Sequence, residues 1–113
     1  MRYGLLIASI AGMLGIAAPA FAQNHEAIEK GMKLFTAQKC SLCHSVAGKG
    51  NAKGPLDEVG TKRSADDIRA WITDAKGMTA KTGATRKPEM KAYTLDKHDV
   101  DALVAYLSTL KKK

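Results

Sequence analysis

The sequence predicts an all-α domain of three main helices and two long loops, on three observations. Apolar residues recur at helical spacing in three separate stretches, most clearly Val100, Leu103, Val104 and Leu107 at i, i+3, i+4 and i+7. No stretch alternates apolar and polar residues as a half-buried strand would. The segments between the helical stretches, Val46 to Gly60 and Gly77 to Tyr93, are crowded with glycine and proline. Loops of that length in a compact domain are functional or are packed against something.

The chain has 113 residues, which is room for one domain. Its composition, 45% hydrophobic and 26% charged, is that of a globular protein rather than a disordered one. Aromatic residues make up only 5%, so a core built from this chain alone leans on aliphatic side chains. The formal net charge is +7. A basic surface favours an acidic partner, an anionic membrane or nucleic acid, and charge alone does not choose among them.

The N-terminus has the order of an export signal. Arg2 gives a positive start, Leu5 to Ile16 is an apolar run, and Pro19 leads into Ala20-Phe21-Ala22. This pattern predicts cleavage after Ala22, leaving residues 23–113 as a mature periplasmic domain. The alternative is a retained anchor, for which the apolar run is short, since a full span needs about 20 residues.

The first helix is expected from Asn24 to just before Cys40, with Ile28, Met32 and Phe35 on one face. Ser64 caps the second, Asp67 supplies negative charge in its first turn, and Gly77 marks its end. Ile68, Trp71 and Ile72 share its inner face. The last helix starts at Asp96, with Leu95 and Val100 placed as a hydrophobic staple and Lys111-Lys112-Lys113 beyond its negative end.

The chemistry is concentrated in Cys40-Ser41-Leu42-Cys43-His44. Two thiols three residues apart lie on one side of a helical turn. Each can add to one vinyl group of a porphyrin, and the next residue then offers an imidazole to the iron. C-x-x-C-H is the signal for covalent haem attachment, and histidine is a standard axial ligand. A thioredoxin-like pair would need a βαβ setting, which is absent. A structural zinc site would need a fourth ligand and poorly accommodates adjacent Cys43 and His44.

On these residues the mature chain resembles class I cytochrome c of the small bacterial single-haem kind. Four segments carry the likeness: Gly31-Met32-Lys33-Leu34-Phe35, Gly54-Pro55-Leu56, Met90-Lys91-Ala92-Tyr93 and Leu103-Val104-Ala105-Tyr106-Leu107. The resemblance implies the cytochrome c fold, in which helices and long loops wrap one covalently bound haem c. It implies that the last helix crosses the first at Gly31. It also implies that the Pro55 carbonyl accepts a hydrogen bond from the outer nitrogen of His44. Read without the family, Pro55 is a plain turn residue. Many relatives have proline directly after the methionine, where this chain has Lys91.

For the sixth ligand the resemblance favours Met90 over Met78, both in the second loop. Met32 reads as core filler, and His25 and His98 as solvated. Trp71 reads equally as a core residue or as a donor to a haem propionate.

These readings imply one-electron transfer through a His44/Met90-ligated haem, with no enzyme activity. The expected partners are a redox donor and acceptor with acidic docking surfaces, met by a monomer. Lys39, Lys53, Lys81, Arg86, Lys87 and Lys91 would form the basic rim that steers them. Membrane contact would come only through the signal or a membrane-bound redox partner. Nucleic-acid binding is not expected, since no recognition motif is present. The alternatives are a dedicated cytochrome subunit of a dehydrogenase or reductase complex, and a haem enzyme or gas sensor with a labile sixth ligand.

Overall fold

The computed structural model describes residues 20–113, with Gly12 ahead of them. Most of the expected export segment lies outside the described residues. The expected cut after Ala22 falls in the first turn of the first helix, α1 (Ala20–Ala37).

Helix α1 leads into a single 3-10 turn, Cys40–Leu42, and then a two-stranded antiparallel hairpin, β1 (Ser45–Val46) and β2 (Lys49–Gly50). Four more helices follow: α2 (Val59–Lys62), α3 (Ala65–Thr73), α4 (Ala75–Thr82) and α5 (Lys97–Ser108). Among the described residues, no helix is long and apolar enough to cross a membrane.

The core is one cluster made where α1 and α3 pack on α5. Phe35, Ile68, Ile72, Val100, Leu103, Val104, Tyr106 and Leu107 are all buried in it. Gly31 sets the crossing of α1 and α5. A β-carbon there would overlap the Ala102 carbonyl and the Tyr106 side chain, so only glycine lets the two backbones approach this closely. One turn on, the Phe35 and Tyr106 rings meet edge to face, 5.9 Å between centroids and 76° between planes.

The caps follow the sequence. Ser64 Oγ accepts from the Asp67 amide at 3.1 Å, and Asp96 Oδ1 accepts from the Asp99 amide at 2.9 Å. Leu95 packs against the core cluster to which buried Val100 belongs, in keeping with the expected staple. The C-terminal tail does not simply trail away. Gly60 N–H donates to the Leu110 carbonyl at 2.7 Å, and Lys112 N–H donates to Thr61 Oγ1 at 2.8 Å, tying α2 to the end of the chain.

Three expectations change. Gly77 does not end the second helix: the chain breaks at Asp74, whose carboxylate accepts from the Gly77 amide and starts α4. Gly77 is thus an early residue of a new helix, and Gly83, at φ 69°, takes the left-handed C-cap instead. Met32 is 51% exposed rather than core filler, because the face of α1 that meets α5 is centred on Gly31 and Phe35. The first loop holds a hairpin and a short helix. Ala47 (φ 51°) and Gly48 (φ 78°) both lie in the left-handed region, as a two-residue I′ turn demands. The Ala47 amide is held there by Asp57 Oδ1 at 2.7 Å.

Candidate functional site

Between α3, the 3-10 turn and the segment before α5 lies a largely apolar cavity of about 480 Å³, within the range of small-molecule and cofactor sites. Its walls include Cys40, Cys43, His44, Pro55, Trp71 and Met90, so the structure brings the six expected cofactor-binding residues to one cavity. Phe35, Leu56, Ile68, Ile72, Leu103 and Leu107 complete the apolar lining. Met78 is buried in α4 and does not line the cavity, which separates it from Met90. His25 and His98 are exposed, as expected.

Local hydrogen bonds fix the attachment motif. Lys39 enters the turn in the left-handed conformation, and the Cys40 carbonyl accepts from the amides of both Cys43 (3.1 Å) and His44 (3.0 Å). The tight turn carries Cys40, Cys43 and His44 to the same cavity wall. Both cysteines are free thiols. Burial pushes the Cys40 thiol above its ordinary range. Among the described residues, no three His, Cys, Asp or Glu side chains converge as a metal-binding group.

His44 is oriented through its ring. Nδ1 donates to the Gly54 carbonyl at 3.1 Å, leaving Nε2 as the lone-pair nitrogen. Burial holds this imidazole below its ordinary pKa; the Gly54 bond opposes that, and the Arg86 guanidinium adds to it. The acceptor is Gly54, whereas the resemblance implied Pro55. Pro55 pairs in a parallel bridge with Ser45, in which the Ser45 amide donates to Gly54 O (3.0 Å) and the Leu56 amide to Ser45 O (2.8 Å). Carbonyls alternate along an extended segment, so that of Gly54 faces Ser45 and His44 while that of Pro55 points away. Pro55 contributes its ring to the cavity wall.

Gly54 has a second constraint. A β-carbon there would overlap both the Cys43 carbonyl and the Arg86 guanidinium. Arg86, absent from the expected site residues apart from the basic rim, thus reaches the cavity beside the histidine's own hydrogen-bond acceptor. A lone arginine in an irregular loop gives no sequence signal of that placement.

Trp71 also lines the cavity. Its Nε1 is buried and has no hydrogen-bond partner, and the Arg63 guanidinium sits 5.6 Å from the ring centroid. A buried orphan donor beside a cation is suited to an anionic acceptor. Of the expected basic rim, Lys53 and Arg86 line the cavity, Lys91 stacks 5.0 Å over the Tyr93 ring, and Lys87 pairs with Glu89 at 2.8 Å.

Comparison with known proteins identifies the family. The sequence model of the family described as Cytochrome c matches residues 28–111. A curated relative is cytochrome c oxidase subunit 2 of Alkalihalophilus pseudofirmus (strain ATCC BAA-2126 / JCM 17055 / OF4), 29% identical over 91 residues. The match covers 73% of this chain and 25% of that protein, so the chain spans about a quarter of the relative's length. No solved structure matches the chain.

Proposed function

Because the chain belongs to the cytochrome c family, whose single haem c is held covalently through C-x-x-C-H and serves electron transfer, we propose that it is a monomeric periplasmic one-electron carrier without enzyme activity. The observation that carries this reading is the one apolar cavity lined by Cys40, Cys43, His44 and Met90 together. The residues fit the group. Two free thiols sit beside a neutral imidazole with Nε2 unprotonated, and the orphaned Trp71 Nε1 awaits an acceptor.

In this reading Cys40 and Cys43 would hold the haem through thioethers, and His44 and Met90 would ligate its iron. Trp71, with Arg63 beside it, would donate to a propionate. When bound, the haem supplies a reversible ferric–ferrous couple. The protein's part would be to supply His44 and Met90 to the iron, exclude water with Ile68, Ile72 and Leu103, and tune the potential through the Met90 sulfur and the His44–Gly54 bond. Cations at the cavity mouth, Lys53 and Arg86 among them, favour partners with acidic docking surfaces.

Export rests on Arg2, the apolar run and Ala20-Phe21-Ala22, and N-terminal sequencing of protein from the periplasm tests it. The function is tested by expression in a host competent for haem attachment. A pyridine haemochrome of the thioether type, resistant to acidified acetone, is expected; colourless protein, or pigment that the solvent extracts, would refute it.

A second reading draws on the oxidase-subunit relative. In it the same haem domain is the dedicated cytochrome subunit of a larger redox complex. Co-purification of a stoichiometric partner from native membranes would favour that reading over a diffusing carrier.

A further inference from the structure

We infer that Asn51 is a positioning residue for the axial histidine: it closes a hydrogen-bond circuit with His44 and Gly54 and clamps the C-x-x-C-H turn from outside. The inference rests on the reading that His44 ligates a covalently held haem.

The circuit starts in the backbone. Asn51 N–H donates to the His44 carbonyl at 3.1 Å and to the Ser41 carbonyl at 3.0 Å. The Asn51 carbonyl accepts from the Gly54 amide at 3.1 Å, and the Gly54 carbonyl accepts from His44 Nδ1 at 3.1 Å. His44 is therefore held at its main chain and at its ring by one turn, residues 51–54. Gly50 makes this approach possible. It lies at φ 108°, and a β-carbon there would overlap the His44 carbonyl.

The side chain of Asn51 sets how that turn sits on the attachment turn. Oδ1 accepts from the Lys53 amide at 3.0 Å, shaping the turn as an Asx turn. Nδ2 donates to the Leu42 carbonyl at 3.1 Å, between the two cysteines. All four polar functions of the residue are in use. Asparagine suits the position, since it has one acceptor and one donor at the end of a short stem. Aspartate would keep the first bond and lose the second; alanine would lose both.

The consequence reaches the metal through geometry. The rotation of the His44 ring follows the position of the Gly54 carbonyl, and that carbonyl moves with the 51–54 turn. In an oxidised low-spin haem, the axial imidazole plane governs how unpaired spin spreads over the macrocycle. A shift of the turn should therefore change the spacing of the four haem-methyl proton resonances. An ordinary turn residue would change stability alone.

The experiment compares haem-loaded wild type, Asn51→Ala, Asn51→Asp and a control, Asp57→Ala. The control removes the bond to the Ala47 amide in the same loop without touching the circuit. Proton NMR of the oxidised proteins gives the haem-methyl pattern, voltammetry the potential, and thermal melts the stability. Both Asn51 variants are expected to alter the methyl spacing and shift the potential, while the control lowers the melting temperature with the pattern intact. An unchanged pattern and potential in the Asn51 variants would overturn the inference, whatever their stability. If Asn51→Ala does not accumulate, the isosteric Asn51→Asp decides. Wild type without covalent haem would instead refute the functional reading, so the two failures are distinguishable.

Discussion

The amide of Tyr93 donates to the carbonyl of Ile72 at 2.8 Å, and this bond moors the Met90 segment to α3. Among the described residues, it is the one backbone hydrogen bond that residues 85–95 make. Met90 thus lies three residues from its nearest backbone tether, in a stretch whose neighbours are mostly exposed. Segments with so few protected bonds open at low free-energy cost. Amide hydrogen exchange should find residues 85–92 faster than α5 in the haem-loaded protein.

The same placement separates the two methionines. Met90→Ala should abolish the far-red sulfur-to-iron charge-transfer band of the oxidised protein. Met78→Ala should keep that band and cost about 2–5 kcal/mol of stability, because Met78 is buried in α4 away from the cavity. Loss of the band in the Met78 variant alone would reverse the assignment.

Trp71→Phe keeps the aromatic bulk of the cavity wall and deletes the orphaned Nε1–H. If that donor serves a propionate, the haem-loaded variant should lose about 1.5–3 kcal/mol relative to wild type, the worth of a bond to a charged group. Its potential should also move. Protein without haem should show no such loss, so denaturant titrations of both forms isolate the interaction.

Gly31→Ala puts a methyl group against the Ala102 carbonyl. Alanine is the better helix former by about 1 kcal/mol, so propensity alone predicts a gain. Steric conflict at the helix crossing should outweigh it, for a net loss of about 1–3 kcal/mol in chemical denaturation. A stabilised variant would argue against the close crossing.

Asp101 accepts from Lys97 Nζ at 2.9 Å and pairs with Arg69 at 2.7 Å, joining α5 to α3. These two cations, Lys97 foremost, hold its carboxyl below the usual carboxylate range. A depressed folded-state pKa means that the stabilisation is present above the ordinary value of about 3.9 and is lost as pH falls through the folded-state value. Asp101→Asn should therefore lower the melting temperature near neutral pH. The gap from wild type should close as the pH is taken down through the acid range, and also in high salt, since the pair is partly exposed.

Periodic and capped segments were readable from the residues alone. Ser64 and Asp96 announced their helices because a short polar side chain before an apolar period has one common use. Gly31 and Phe35 were legible through the family resemblance. Gly77 misled because glycine often stops a helix, whereas here Asp74, three residues earlier, accepts its amide. The β1–β2 hairpin was hidden because Ala47 is a poor signal for a left-handed turn; its conformation depends on Asp57, ten residues away. Met32 has the spacing of a core residue, but the contact face of α1 is narrower than the stripe. At the site, the motif residues were plain in one dimension. Neither the reach of Arg86, a lone arginine in an irregular loop, nor the choice of Gly54 over Pro55, which depends on the bridge to Ser45, could be read there.

The crossing at Gly31 has a consequence for how the family's length can vary. It welds α1 to α5, and the β1–β2 turn is a short surface loop in the segment between them. The entropy of such a loop grows only logarithmically, and doubling its length adds about 0.6 kcal/mol. The tip at Gly48, with open space around it, can therefore take inserted residues at little cost to the clasp. A chain of this design can acquire new surface, and with it new partners, without renegotiating how its ends hold the centre.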